Sequence, residues 1–240
     1  MRRRDAPVNS EDMMDSVPGA TLEVGGLTQL TTLDLPGRLS AVVFCQGCPW
    51  QCGYCHNPHL IPRGPGDRSW SDVLRFLERR RGLLDAVVFS GGEPTLQSGL
   101  GQALRETREM GFLTGLHTGG PYPERLARVL PLVDWVGFDL KAPLEEYARI
   151  TGVPGSGARA AESAHLLMAS GVDHEFRTTV DPSLLDHAQL EKMTRWLEER
   201  GVMRHVLQRC RPAPAGLSDP LDDSVLLDRL RAHVPGVEVR

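Results

Sequence analysis

The sequence has no apolar run that approaches the roughly 20 residues of a membrane-spanning helix, although 40% of its residues are hydrophobic. It also has no secretory signal, because the basic start from Met1 to Arg4 leads into Asp5 and an acidic stretch instead of an apolar segment. These absences predict a cytosolic protein without a membrane partner.

Lysine is scarce. Among 27 basic residues only Lys141 and Lys192 are lysines, so arginine is the default positive charge and a lysine at an unusual position needs an explanation. The net charge of −4 argues against a nucleic-acid duplex as the main partner, because such a partner needs a strongly basic surface.

The length of the chain limits its domain organisation. Its 240 residues are too few for two large domains and predict one domain over residues 20–240. Residues 1–19 lack hydrophobic periodicity and are rich in Asp, Asn, Ser, Met and Pro. They predict a disordered tail.

Cysteines are also few, but four of the five stand within eleven residues, at positions 45, 48, 52 and 55. They follow an apolar run that predicts a buried strand over residues 39–44. In the cytosol such clustering favours metal ligation over disulfides. All four thiols would form a closed iron–sulfur or zinc site. The last three alone would hold three irons of a cubane and leave the fourth open to a substrate.

The rest of the chain alternates between apolar strands and helical segments. Predicted strands lie near residues 86–90, 112–117, 133–140, 172–180, 203–208 and 237–239, and predicted helices over 69–81, 100–110, 123–130, 144–150, 159–170, 186–200 and 221–232. Residues 22–44 predict a hairpin that turns at 34–37.

This alternation predicts an α/β protein with a parallel sheet. The candidates are a partial (β/α)6 TIM-like barrel and a doubly wound open sheet. The barrel is favoured because the unusual polar residues follow the C-terminal ends of predicted strands, where barrel chemistry collects.

Three polar groups stand at those strand ends. Residues 90–94, SGGEP, contain paired glycines that let the backbone approach a ligand closely. Asp139 and Lys141 lie two residues apart, so both side chains point to one face of a strand. Arg177 and Thr179 repeat this spacing on the next predicted strand.

The C-x3-C-x2-C spacing, with Tyr54 before its third cysteine, resembles the cluster motif of radical S-adenosylmethionine (SAM) enzymes. Residues 47–58, GCPWQCGYCHNP, and residues 31–37, TTLDLPG, are similar to the glycyl-radical-enzyme activating proteins, most of all the one for anaerobic ribonucleoside-triphosphate reductase. The resemblance implies a partial (β/α)6 barrel of the radical SAM type. It implies one [4Fe–4S] cluster held by Cys48, Cys52 and Cys55, with Cys45 not a ligand.

The resemblance also implies the residues that bind SAM. The turn formed by Gly91, Gly92 and Glu93 would hold the methionyl amino group. The other cofactor-binding positions would be Tyr54, Thr118, Asp139, Lys141 and Arg177. His117 stands where the family more commonly has the Asp of an Asp-Thr-Asn-Gly motif.

The implied reaction is one-electron cleavage of SAM to methionine and a 5′-deoxyadenosyl radical, which takes a hydrogen atom from a backbone glycine of a partner glycyl radical enzyme. The expected electron donor is of the flavodoxin or ferredoxin type. Two other interpretations stay open. One is a radical enzyme acting on a small molecule, as the 7-carboxy-7-deazaguanine synthases do, and the other is a closed four-cysteine iron–sulfur or zinc protein.

Overall fold

A computed structural model describes residues 21–211 and 216–240 of the chain, and the predicted tail over residues 1–19 lies outside them. One sheet contains the strands β1 (Val24–Thr31), β2 (Ser40–Cys45), β3 (Ala86–Gly91), β4 (Leu113–Thr118), β5 (Trp135–Asp139), β6 (Asp173–Val180), β7 (Arg204–Arg209) and β8 (Gly236–Val239). β1 pairs antiparallel with β2, as the predicted hairpin requires, and all later neighbours pair parallel.

Strand order decides between the two predicted architectures. A doubly wound sheet reverses its order at a switch point, whereas this sheet keeps the order of the chain from β1 to β8. Each of the six strands from β2 to β7 is followed by a helix, which makes the six units of a partial (β/α)6 TIM-like barrel. Within the described residues no pairing joins β8 to β1, so the barrel is open. The predicted fold class is confirmed.

Helices cover the outer face of the sheet. In the described part of the chain they are α1 (Trp70–Glu78), α2 (Leu100–Glu109), α3 (Pro123–Val129), α4 (Tyr147–Thr151), α5 (Ser156–Ser170), α6 (His187–Glu198) and α7 (Ser224–His233). None of them is long and apolar enough to span a membrane.

Helix ends differ from the prediction by a few residues. α1 begins after Ser69, whose side chain caps the helix by accepting a hydrogen bond from the Asp72 amide. It ends before Arg81, because residues 79–82 leave the helix in a turn that reaches φ +74° at Gly82. α7 begins three residues late, because Pro220–Asp222 form a separate 3-10 turn.

The two faces of the sheet have separate cores. Side chains on the outer face, such as Val43, Phe89 and Phe138, are fully buried together with residues of the helices. The inner face holds a smaller cluster made of Leu35, Val42, Ala86, Val88 and Trp135.

The β1–β2 loop, residues 32–39, contributes to the inner cluster from one end of the barrel. Leu35 is 6% exposed and packs among the residues at the beginnings of the strands, whereas Leu33 in the same loop is 82% exposed. The loop therefore fills the end of the barrel where the strands begin. The opposite end remains for the polar residues.

Candidate active site at the C-terminal end of the barrel

One cavity opens where the parallel strands end. Its lining extends along the chain from Cys48 to Thr179 and comes from the loop after β2 and from the ends of β3, β4, β5 and β6. Every predicted site residue except Arg177 lines it: Cys48, Cys52, Tyr54, Cys55, Gly91, Gly92, Glu93, Thr118, Asp139 and Lys141. They meet because neighbouring parallel strands end at one edge of the sheet.

Three of the clustered thiols face the cavity and the fourth does not. Cys48, Cys52 and Cys55 are partly exposed and line it. Cys45, the last residue of β2, is fully buried in the outer core. The structure therefore places Cys45 apart from the predicted triad.

Burial disfavours the thiolate form of the cavity cysteines. It raises the pKa of Cys48 to about 12, and the Glu93 carboxylate adds to this rise. Burial also raises the pKa of Cys52. A bound soft metal overcomes this effect because it ligates the thiolate directly. Among the described residues, no three His, Cys, Asp or Glu side chains are gathered as a single metal ion would need.

The paired glycines at the end of β3 let the backbone pack against the end of β2 and the cysteine loop. A Cβ atom on Gly91 would lie 2.4 Å from the backbone nitrogen of Cys45, and Gly91 has a φ of +110°. A Cβ atom on Gly92 would lie 2.2 Å from the carbonyl oxygen of Gly47. The sequence predicts glycines that make room for a ligand. The structure adds that they make room for the chain itself.

Glu93 is buried and its carboxylate is occupied by hydrogen bonds within the protein. Oε1 accepts from the Thr95 amide at 3.0 Å and from the Thr118 hydroxyl at 2.7 Å. Oε2 accepts from the Gly119 amide at 3.1 Å. Glu93 therefore ties the turn after β3 to the end of β4, and the Thr118 hydroxyl that the sequence assigns to the cofactor is directed to this carboxylate.

Asp139 and Lys141 form a charged pair at the end of β5. Asp139 Oδ2 lies 3.8 Å from Lys141 Nζ, and Asp139 Oδ1 lies 3.0 Å from a guanidinium nitrogen of Arg177. Burial alone would raise the pKa of Asp139, but Arg177 and Lys141 hold it below its usual value. Burial alone would lower the pKa of Lys141, but Tyr54 and its other neighbours hold it well above its usual value.

Arg177 lies beside Asp139 and does not line the cavity. Its Nη1 is 3.1 Å from His117 Nε2, and a Cβ atom on Gly137 would lie 2.6 Å from its Cζ. Its direct contact with the cofactor stays a prediction. In this structure the guanidinium supplies positive charge next to the Asp139 carboxylate.

His117 brings no charge to this arrangement. Burial, together with the neighbouring Arg177, lowers the pKa of His117 to about 3, so the ring is neutral near pH 7. Its Nε2 lies 2.8 Å from the carbonyl oxygen of Asp34 in the β1–β2 loop. The departure from the family's Asp therefore replaces a carboxylate with a neutral ring that reaches the loop at the other end of the barrel.

Sequence reasoning missed Trp50. Its indole is 3% exposed and lines the cavity, and Lys141 Nζ lies 5.8 Å from the ring centroid. A Cβ atom on Gly119 would lie 2.3 Å from Trp50 Cζ3. A signal was present, because one of only four tryptophans in the chain stands inside the cysteine loop.

Residues 42–197 match the family model described as the radical SAM superfamily. The chain belongs to this superfamily. The match covers more than half of the chain and contains the whole described lining of the cavity. Radical SAM enzymes use a [4Fe–4S] cluster and SAM, and the chain is an enzyme of this type.

Relatives within the superfamily include proteins named as activating enzymes. One from Methanocaldococcus jannaschii, named as a glycyl-radical enzyme activating enzyme, is 29% identical over 199 residues, or 80% of this chain and 81% of that protein. A pyruvate formate-lyase-activating enzyme from Clostridium pasteurianum is 32% identical over 136 residues, or 54% of this chain and 57% of that enzyme.

Solved structures of other radical SAM proteins share the fold. Streptococcus suis SuiB bound to its precursor peptide SuiA superposes with a TM-score of 0.67 at 14% identity over 83% of this chain. The match covers 48% of SuiB, so the chain spans about half its length. QueE from Escherichia coli gives a TM-score of 0.60 at 16% identity over 97% of this chain and 99% of QueE. At these identities the likeness concerns the fold alone.

The cavity fits both superfamily cofactors. Its three partly exposed cysteines match in number and kind the donors of an iron–sulfur cluster that leaves one iron without a protein ligand. The Asp139 carboxylate and the Lys141 ammonium complement the amino and carboxylate groups of an amino acid such as the methionyl part of SAM. The buried hydroxyl of Tyr54, which lines the cavity, has no hydrogen-bond partner among the described residues.

Proposed function

We propose that the chain is an activating enzyme that generates a glycyl radical on a partner enzyme. The observation that carries this proposal is the placement of three thiols beside Asp139 and Lys141 in one cavity at the C-terminal end of the barrel. The names of relatives at 29% and 32% identity support it.

The proposed roles of the residues follow their positions. Cys48, Cys52 and Cys55 would hold the cluster. The cofactor's amino acid end would lie against Asp139 and Lys141. The remaining predicted contacts to SAM are Tyr54, Gly91, Gly92, Glu93, Thr118 and Arg177, with Glu93, Thr118 and Arg177 acting partly through the hydrogen bonds and ion pairs they make within the protein.

The bound cofactors supply one-electron cleavage of SAM to methionine and a 5′-deoxyadenosyl radical, which takes a hydrogen atom from glycine. The protein must exclude water and oxidants from this reaction. At the end of the barrel opposite the cavity, the β1–β2 loop packs Leu35 into the inner cluster.

The partner we propose is anaerobic ribonucleoside-triphosphate reductase, with a flavodoxin- or ferredoxin-type protein as the electron donor. Residues 31–37, TTLDLPG, and residues 55–58, CHNP, support this choice. The cytosolic location predicted from the sequence belongs to the same proposal.

The test begins with anaerobic reconstitution, reduction and EPR spectroscopy with and without SAM. We expect a reduced [4Fe–4S] signal that changes shape when SAM is added, and a glycyl radical signal when the reductase is added. An unchanged cluster signal, or zinc in place of iron, would contradict the radical mechanism. SAM cleavage without a glycyl radical would favour the interpretation of an enzyme acting on a small molecule.

Two cysteine variants distinguish the open triad from a closed four-thiol site. Cys45→Ala should keep the cluster and its response to SAM, because Cys45 lies in the outer core and not in the cavity. Cys52→Ala should lose the cluster. The iron content and the visible absorption of the reconstituted proteins show whether each variant holds a cluster. Loss of iron from Cys45→Ala would support the closed site.

A further inference from the structure

The turn that follows β5 carries two charged side chains of the cavity. Asp139 and Lys141 stand on either side of Leu140, and their side-chain charges lie 3.8 Å apart. Where these charges point depends on how firmly the backbone of the three residues is held. A shift of this backbone would move both groups away from any ligand between them.

The middle of this turn is held from the neighbouring strand. The Leu140 amide donates to the Arg177 carbonyl oxygen at 2.8 Å. The hydroxyl of Thr178, which is fully buried, donates to the Leu140 carbonyl oxygen at 2.8 Å. Both backbone polar atoms of Leu140 are therefore fixed to β6.

Tyr147, the first residue of α4, holds both ends of the turn with one hydroxyl group. Tyr147 Oη accepts a hydrogen bond from the Lys141 amide at 2.9 Å and donates to the Asp139 carbonyl oxygen at 3.5 Å. The side chain is fully buried, so no water can replace these bonds. One oxygen thus links the backbones of the two charged residues.

The ring of Tyr147 reaches the cysteine loop through Trp50. The two rings meet edge to face with centroids 6.0 Å apart. Trp50 stands between Cys48 and Cys52, and its ring is packed against Gly119 and lies below Lys141 Nζ. Tyr147 therefore contacts the support of both proposed cofactor sites while lying outside the described cavity lining.

We infer that Tyr147, together with the Thr178 hydroxyl, is a positioning residue that sets the directions of Asp139 and Lys141 toward the amino acid end of SAM. This inference rests on the proposed function only for the identity of the ligand. Tyr147 acts through the turn and makes no contact with the reacting atoms.

Tyr147→Phe tests the inference, because it keeps the ring and its packing while removing the bridging hydroxyl. We expect normal iron content and a normal reduced EPR signal, but a SAM dissociation constant raised about tenfold, as the loss of one hydrogen bond allows. The measurement is a SAM titration of the reduced cluster signal without partner enzyme. The KM for SAM should rise more than kcat falls.

Tyr122→Phe is the matched control. Tyr122 precedes α3 and its ring lies beside the Arg125 guanidinium. Removal of its hydroxyl should leave the affinity for SAM unchanged. Wild-type affinity in Tyr147→Phe, with an intact cluster, would overturn the inference and make Tyr147 a core aromatic residue only.

If Tyr147→Phe cannot hold its cluster, two variants of Thr178 test the inference instead. Thr178→Val removes the hydroxyl that holds Leu140, whereas Thr178→Ser keeps it. We expect SAM affinity to fall about fivefold in the valine variant and to be retained in the serine variant. Equal affinities would overturn the inference. Because all titrations omit the partner, failure to form a glycyl radical would contradict the proposed function and leave this inference standing.

Discussion

His205 on β7 is a buried histidine that lies outside the described cavity lining. Its Nε2 lies 2.8 Å from the Thr178 hydroxyl, which itself donates to the Leu140 carbonyl oxygen, so Nε2 carries the proton and donates to Thr178. Burial lowers the pKa of His205 to about 3. The folded protein therefore keeps this ring neutral over most of the acid range.

This burial predicts a loss of stability in acid. Below about pH 6.5 the unfolded chain protonates His205 while the folded chain does not until about pH 3, so the free energy of unfolding falls as pH falls through this window. In His205→Gln the free energy of unfolding should depend less steeply on pH, by up to about 1.4 kcal/mol per pH unit. Denaturant unfolding of both metal-free proteins between pH 7 and pH 5 measures it. Equal slopes would show that His205 does not titrate differently on folding.

Single residues differ in how far the sequence predicts them. That Cys48, Cys52, Cys55, Asp139 and Lys141 meet in one cavity was predictable, because cysteine spacing and strand periodicity are local signals and strand ends share one edge of the sheet. Tyr147 was not, because its role depends on contacts with a turn and a tryptophan that only the fold brings together. Cys45 was separated from the triad by resemblance, and its buried position on β2 gives the physical reason.

At the scale of single elements, the turn after β3 depends on glycine for space. Gly92→Ala should lower the free energy of unfolding by about 1–3 kcal/mol, because its Cβ would meet the backbone oxygen of Gly47 at 2.2 Å. Gly101→Ala is the matched control in α2, where the nearest atom is Arg105 Nη1 at 3.7 Å. It should raise stability by about 0.5–1 kcal/mol.

Denaturant unfolding measures both variants. If the inferred packing is right, the free energy of unfolding is lower than that of the wild type in Gly92→Ala and higher in Gly101→Ala. A neutral Gly92→Ala would mean that the turn after β3 can move away from the cysteine loop. Iron content of the same variant then reports whether the loop has followed it.

Strands were better predicted from the sequence than helix ends. Apolar runs such as residues 86–90 specify a buried strand directly, and β3 occupies Ala86–Gly91. Helix ends are harder to predict, because the local signals for helix caps and for turns are weak and compete with each other. α5 begins at Ser156 instead of the predicted residue 159, and Asp223, which the sequence places inside the last helix, caps α7 instead.

At the scale of the whole molecule, the β1–β2 loop stabilises the barrel from the end opposite the cavity. Leu35→Ala should lower the free energy of unfolding by about 2–4 kcal/mol. The substitution removes a buried side chain that packs with Val42, Val88 and Trp135 in the inner cluster. Leu33→Ala, two residues away at 82% exposure, should change stability by less than about 0.5 kcal/mol.

The leucine pair also tests whether the loop influences the cavity. The Asp34 carbonyl oxygen lies 2.8 Å from His117 Nε2, so displacement of the loop should disturb a residue that lines the cavity. We expect Leu35→Ala to bind SAM more weakly than Leu33→Ala. Equal affinities would mean that the loop contributes to stability alone.

The alternation of strands and helices along the chain predicted a parallel α/β sheet, and the polar residues at the C-terminal ends of the predicted strands favoured the barrel. The sequence did not predict that the loop at residues 32–39 would enter the barrel. A turn of Asp, Leu, Pro and Gly has no periodicity, and the burial of its leucine depends on the space left between strands that lie far away in sequence.

The described cavity lining stops at Thr179, while the sheet continues through β7 and β8. The described cavity lining and the last two strands are thus separate parts of one chain. A gene encoding such a protein can change β8, and with it one flank of the open barrel, without changing a described residue of the cavity lining. Descendants could in this way acquire new targets while inheriting the same reaction.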